Sequence, residues 1–377
     1  MSRRLTVMQV LPELNSGGVE RGTLEIARAL VSAGHRSIVV SQGGRMVRQL
    51  EAEGSEHITL PVHRKSWRSL LQIRPFRHLL ADINPDIVHA RSRIPAWIAF
   101  LALRGMTADA RPRFVTTVHG LYSVSPYSAV MTFGERVIVV SDTVREYVRK
   151  HYPRCDLTRV TRIFRGVSAE EFPYDYQPSP EWLAAWKAEF PQLEGKKVLA
   201  LPGRISRVKG HETFIRLMAA LSPEHPDLHG LIVGGTDQGK TAYLSELKAR
   251  IESAGLSDRI TFTGHRSDMA DMLTQADLVL ALRTTPEAFG RSTLEPLRMG
   301  IPVIGWAVGG VGEILSAMYP QGSVPASDEA ALLVRVQDWL AHPTRPLDQE
   351  AFPLSRMCSD TLAVYEELST SRRDGQQ

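Results

Sequence analysis

Residues Thr284 to Gly305 read TTPEAFGRSTLEPLRMGIPVIG, and this stretch decides the fold. It follows an apolar run, Ala276 to Leu282, with the length and composition of a buried strand. Pro286-Glu287-Ala288-Phe289-Gly290 is then a loop at a strand end, where open α/β sheets place their ligands. A helix is expected from about Arg291, capped by Ser292 or Thr293, with Leu294, Leu297 and Met299 on or near one face. Gly300 supplies its left-handed stop, and Pro302 opens the next strand. The amides of Phe289 to Thr293 precede any intrahelical partner, so they form an anion site at the strand ends.

The same alternation runs outward in both directions. Upstream, strands are expected at Leu5–Leu11, Ser37–Val40, Asp86–His89, Arg113–Val118 and Val137–Val140, separated by helical patterns. One of those helices carries Val19, Thr23, Ile26, Ala27 and Leu30 on one face and ends at Gly34. Regular structure lapses at Phe172–Pro180, FPYDYQPSP, which reads as a hinge. Beyond it come strand Lys197–Leu201, a helix from about His211, strand Gly230–Val233, helix Tyr243–Ala254 and strand Arg259–Phe262. The expected architecture is α/β, with two Rossmann-like, doubly wound parallel-sheet domains at 1–172 and 176–352 facing across a cleft. The last residues, SRRDGQQ, are expected to lie outside the fold.

Composition narrows the function classes. No apolar run approaches 18 residues, and the longest, Ile94 to Leu103, contains Pro95 and reads as a core helix. The N-terminus reads as a first strand, not a signal peptide. Cys155 and Cys358 lie far apart without metal-type spacing, which fits a reducing cytoplasm. Residues 1–175 hold 25 Lys+Arg against 16 Asp+Glu, whereas the remainder holds 20 against 25. In the basic half, Arg64, Lys65, Arg68, Arg74 and Arg77 gather around Trp67 and Phe76. That face suits anionic lipid headgroups or a phosphorylated acceptor, so peripheral contact with the inner face of the cytoplasmic membrane is an expectation. No nucleic-acid module accompanies the charge, and no nucleic-acid partner is expected.

Pro202-Gly203-Arg204-Ile205-Ser206-Arg207-Val208-Lys209-Gly210 links a strand to a helix. Gly203 permits a tight turn, after which Arg204 and Lys209 bring a forked donor and a point charge to one anion. Glu287 and Glu295 stand eight positions apart, a spacing that recurs at Glu181 and Glu189 and so carries little by itself. Context separates the two pairs: Glu287 precedes a helix start and Glu295 lies one turn inside it, so one ligand can touch both carboxylates. Gly17-Gly18 ends the first strand-to-helix loop with no Cβ atoms to obstruct a ligand. His119-Gly120 follows the strand FVTTV, a position suited to a sugar hydroxyl, while His89 and Arg91 stand at another strand end.

The 203–210 and 287–305 stretches together resemble the signature of the retaining GT-B glycosyltransferases, in particular glycosyltransferase family 4 and its lipopolysaccharide core enzymes. Gly203, Arg204, Lys209 and Gly210 match the family's Gly-Arg-x4-Lys-Gly, and Ala288 replaces the first glycine of its Glu-Gly-Phe-Gly. The resemblance implies a C-terminal helix, near 354–370, that returns to the first domain. It implies catalytic roles for Glu287, Arg204, Lys209 and His119. It implies donor binding by Gly17, Gly18, Gly203, His265, Arg266, Phe289, Gly290, Arg291, Ser292 and Glu295, with the backbone of Thr263 to Arg266 reading the nucleobase. His89, Arg91, Ser141 and Arg165 would line the acceptor side, although Arg165 stands where the family more often has Asn. The implied donor is a nucleotide sugar, most commonly a UDP-sugar in this family, and the implied acceptor is a glycan or glycolipid such as a growing lipopolysaccharide core. No Asp-x-Asp metal motif is present, so neither a metal nor a further cofactor is expected. The alternatives are a sugar-nucleotide epimerase of the same architecture and a non-catalytic binding subunit. A nicotinamide dehydrogenase fits poorly, since Gly17-Gly18-x3-Gly22 is not its fingerprint and Val40-Ser41-Gln42 offers no acidic ribose partner.

Overall fold

Residues 3–15, 17–63, 67–236 and 241–374 are described by a computed structural model, without the side chains of residues 67, 68 and 371–374. Short apolar runs separated by helices leave the chain only parallel pairings, because each helix carries it back to the sheet's starting edge. The first sheet comprises β1 Thr6–Val10, β2 Arg36–Ser41, β3 Glu56–Thr59, β4 Ile87–Ala90, β5 Arg113–Val118, β6 Arg136–Val139 and β7 Val160–Arg162, in the order 3-2-1-4-5-6-7. The second comprises β8 Lys197–Pro202, β9 Leu228–Val233, β10 Ile260–Gly264, β11 Leu278–Ala281, β12 Val303–Trp306 and β13 Ser323–Val324, in the order 10-9-8-11-12-13. In both, the order reverses beside the first strand, which is the switch point where doubly wound sheets bind ligands. The strands absent from the sequence reading, β3, β7 and β13, all lie at or next to sheet edges and are short, with few consecutive apolar residues.

The chain divides into two compact units, residues 1–166 with 354–377 and residues 167–353. The first therefore ends at Gly166 instead of 172. Val167 N–H donates to Phe352 O at 3.3 Å, and Phe172 is fully buried. The proline-rich segment is likewise tied into the second unit and is not a free hinge. Tyr174 Oη donates to Pro346 O at 3.0 Å, Asp175 pairs with Arg345 at 2.5 Å, and Tyr176 Oη donates to Asp271 at 2.8 Å.

In the first unit, Leu5, Val7 and Ile87 of the sheet region pack with Ile26, Leu30, Met357, Val364, Tyr365 and Leu368. The last four belong to the helix Leu354–Asp374, which runs past the expected end of order. In the second, Leu199, Leu201, Ile232, Leu278, Leu280 and Ile304 form the sheet's share of the core, against Phe214, Met218, Leu332 and Trp339. The apolar run after Ile94 is a helix, Arg93–Arg104, and no helix among the described residues is long and apolar enough to cross a membrane. Of the expected basic face, Arg64 and Lys65 lie outside the described residues, as do the side chains of Trp67 and Arg68. Arg77 is committed elsewhere: it donates to Ala102 O and Leu101 O, near the end of the helix Arg93–Arg104. Phe76 is buried.

Candidate active site

In the second unit, two loops at the C-terminal strand ends meet. After β8, Gly203 takes a positive φ of 145° and its N–H donates to Val233 O at 2.8 Å. The chain then makes a 3-10 turn, Arg207–Lys209, closed by Lys209 N–H to Ser206 O at 3.1 Å. Gly210 has φ +81°, and a Cβ there would lie 2.1 Å from Leu282 O, so only glycine fits against the end of β11. Thr284 N–H donates to Val208 O at 3.0 Å, a second tie between the loops. This places Lys209 Nζ 3.2 Å from Glu287 Oε1, with the two side chains only 19% and 23% exposed. Arg283 Nη1 approaches the same oxygen at 3.3 Å, so Glu287 faces two cations. Arg204 is exposed on the same loop.

The helix begins at Arg291 and ends at Arg298, but neither Ser292 nor Thr293 caps it. The cap is Gly290, with φ +110° and no side-chain bond, and the first amides bonded back to it are those of Thr293 and Leu294. A polar side chain is unnecessary at a cap whose amides face a ligand site. Glu295 is buried, 3.4 Å from Arg291 Nε. Phe289 offers only its backbone to a ligand, since its side chain is buried and meets the Phe352 ring edge-on at 5.6 Å.

Gly309 and Gly310 were not expected at this site. Gly310 N–H donates to Glu287 O at 2.8 Å, and a Cβ on Gly310 would stand 2.3 Å from Phe289 Cα. Their signal is a glycine pair at the helix start that closes a strand-to-helix loop, as at Gly17-Gly18. His265 is exposed beside Gly235. The Arg266 side chain is engaged within the fold: its guanidinium pairs with Asp268 and with Glu189 at 3.0 Å, 5.4 Å from the Trp186 ring centroid, which leaves the residue its backbone to offer a nucleobase. The pair with Glu189 ties this loop to the helix Pro180–Glu189.

In the first unit, Gly17 caps the helix Gly18–Ser32 with φ +143°. Arg165, nearly buried, donates to Gly18 O at 2.7 Å and lies 3.7 Å from Glu25. Its Nη1 also reaches to 3.5 Å from His119 Nδ1, which leaves the other nitrogen, Nε2, to carry the ring proton. Nε2 is buried and has no hydrogen-bond partner among the described residues. Burial, helped by Arg91 and Arg165, holds the His119 pKa well below its ordinary value and keeps the ring neutral.

Three expected acceptor residues serve the fold instead. His89 is fully buried between Tyr365 Oη and Thr117 Oγ1, each at 2.6 Å, with no nitrogen left for an acceptor. Arg91 is buried and donates to Gln9 Oε1 at 2.8 Å. Ser141 caps the helix Asp142–His151 by accepting from Val144 N–H at 3.1 Å.

Two doubly wound parallel sheets, one carrying a glycine-and-basic loop against a glutamate loop and helix start, define the GT-B class of glycosyltransferases. Residues 16–171 match the family model Glycosyltransferase Family 4, and residues 184–351 match Glycosyl transferases group 1. The chain belongs to glycosyltransferase family 4. A curated relative, the lipopolysaccharide core biosynthesis mannosyltransferase LpsB of Rhizobium meliloti (strain 1021), is 31% identical over 180 residues. That match covers 47% of this chain and about half of the relative's length, also 47%. Among solved structures, a glycosyltransferase from Rickettsia africae ESF-5 superimposes with a TM-score of 0.84 at 27% identity, covering 97% of this chain and 98% of that one. Alr3699/HepE of Anabaena, crystallised with UDP and glucose, shares the fold with a TM-score of 0.75 at 18% identity and 99% coverage of both chains.

Proposed function

We propose that this protein is a retaining glycosyltransferase that moves a sugar from a UDP-sugar to a growing bacterial surface glycan of the lipopolysaccharide core kind. The observation that carries the proposal is the meeting of Lys209 with Glu287 beside the helix start at Arg291. As the bond between the anomeric carbon and the donor phosphate oxygen breaks, negative charge grows on the diphosphate. Lys209, Arg204 and the first amides of the helix stabilise that charge more in the transition state than before it. The acceptor oxygen bonds to the anomeric carbon on the face the phosphate leaves, and its proton passes to the departing phosphate oxygen. Glu287 orients the sugar, Glu295 takes the ribose hydroxyls, and the His119 Nε2–H donates to a sugar hydroxyl. With these cations in place the reaction needs no metal. UDP is favoured as the nucleotide because it occupies the Anabaena relative, and a core glycan as acceptor because the Rhizobium relative is named for that assembly.

The basic excess of the first unit supports contact with an anionic cytoplasmic membrane surface, and Leu70 and Leu71 stand exposed in that unit. The deciding experiment offers a panel of UDP-, GDP- and ADP-sugars with core-deficient lipid A and with soluble glycans, following labelled sugar. Transfer from a UDP-sugar to lipid A with the anomeric configuration retained is expected. Conversion of the nucleotide sugar without any acceptor would mark an epimerase instead.

A further inference from the structure

The carbonyl oxygen of Ser206 accepts twice, from the Lys209 amide at 3.1 Å and from His211 Nδ1 at 3.2 Å. A carbonyl only accepts, so Nδ1 carries the imidazole proton. Burial pushes the His211 pKa down to about 4, so the ring is neutral and Nε2 is a bare acceptor. That nitrogen is buried and has no hydrogen-bond partner among the described residues. The ring beside it belongs to Tyr243, edge-on at 6.1 Å between centroids, with its hydroxyl also buried and unpartnered among the described residues. A histidine 1% exposed with one nitrogen orphaned is a costly residue at a helix start that an apolar side chain would fill more cheaply. The return for that cost is the single bond to Ser206.

The bond acts on a short lever. Gly210 passes close enough to Leu282 O that an added Cβ would stand 2.1 Å from it, and His211 opens the helix His211–Leu221 directly after it. From there the ring reaches back across the Arg207–Lys209 turn to Ser206, the residue on which the turn closes. Among the described residues, the other bond at Ser206 O is that from the Lys209 amide. Lys209 leaves the turn with its Nζ at Glu287.

We propose that His211 is a positioning residue for glycosyl transfer, its Nδ1–H locking the Ser206 turn that aims Lys209 at the donor diphosphate. This rests on the assignment of Lys209 to the diphosphate made above. The test uses the full chain and UDP as the probe, titrated by calorimetry onto wild type and H211N, H211Q and H211L, with a melting temperature for each. Asparagine places an amide N–H where Nδ1 stands, glutamine places one nearer Nε2, and leucine fills the space with neither. H211N should keep UDP affinity to within about threefold, whereas H211Q and H211L should weaken it roughly tenfold, the scale of one lost hydrogen bond. In a K209A background the differences among the variants should vanish. A packing role alone would make UDP affinity follow melting temperature, with no preference for asparagine over glutamine at equal stability. That result, or equal UDP affinity for H211N and H211L, overturns the proposal and leaves the donor site standing. Failure of wild type to bind UDP, GDP or ADP would remove the donor-site assignment, and this inference with it.

Discussion

Lys209 Nζ stands 3.2 Å from Glu287 Oε1, a cation and a carboxylate brought together by the loops after β8 and β11. Each is the other's partner here, and in the reaction proposed above a diphosphate would compete for the lysine. K209A should lower kcat/KM by roughly 10² to 10³, the cost of removing one preorganised electrostatic donor. E287Q should lower it comparably by losing the sugar's anchor, and the double variant should lose less than the product of the two, because contacting groups couple. Initial rates with the preferred nucleotide sugar, alongside unchanged melting temperatures, check this; strictly multiplicative losses would disconnect the pair.

Gly210 is the backbone pivot of the same site. G210A puts a Cβ where Leu282 O stands and forces an alanine to φ +81°. The variant should lose about 1 to 3 kcal/mol of stability and most of its UDP affinity. Denaturant melts and a UDP titration measure both. A variant that binds UDP like wild type would show that the loop tolerates a shift, contrary to the close approach of the two strand ends.

The donor loops are legible in the sequence because glycine, proline and charge sit at fixed offsets from apolar strands. Gly203, Lys209, Glu287 and Gly300 each carry a local conformational or electrostatic reason that needs no tertiary knowledge, whereas Gly210 enters by resemblance and finds its reason only against Leu282 O. What stays illegible depends on partners distant in the chain. His89 reads as a strand-end ligand until Tyr365, 276 positions away, closes over it. The Arg266 guanidinium shows its partners only once Glu189, 77 positions away, and Trp186 are seen beside it. The 172–180 segment reads as a hinge because prolines stop regular structure, yet irregular backbone can still be tied down by Tyr174, Asp175 and Tyr176. Edge strands such as β3 lack the two-sided burial that marks a central strand.

In the first unit, Arg165 and Glu25 form a nearly dry pair, each side chain 7% exposed. R165M should cost about 1 to 3 kcal/mol, because it takes one cation from a buried carboxylate that keeps Arg21, whose Nε lies 3.5 Å from Glu25 Oε1. R165K should recover only part of this, since one ammonium does not span Gly18 O, reached by Nη2, and His119 Nδ1, approached by Nη1, as a guanidinium fork does. Urea unfolding of the three proteins at pH 7 separates these outcomes. Full rescue by lysine would mean that charge alone, and not the fork, supports the first strand-to-helix loop.

Acid stability follows from the buried histidines. Burial holds His211 and His229 at about 4 and keeps His89 and His119 well below the usual range, while all four titrate near 6.5 once unfolded. Between pH 6.5 and about 4 the unfolded chain therefore binds more protons than the native one, so stability rises with pH across this window and is lost on acidification. Below about 4 the native His211 and His229 protonate too, and their share of the loss levels off. Each of these two shifts is worth roughly 3 kcal/mol at most. The melting temperature should fall steadily from pH 7 to pH 4.5, and H229N, which removes one titrating ring, should fall by less over the same interval. Carboxylates titrate in both proteins, so the difference between the two slopes isolates His229. Equal slopes would show that this ring protonates in place, without opening the contact between its Nε2 and Thr261.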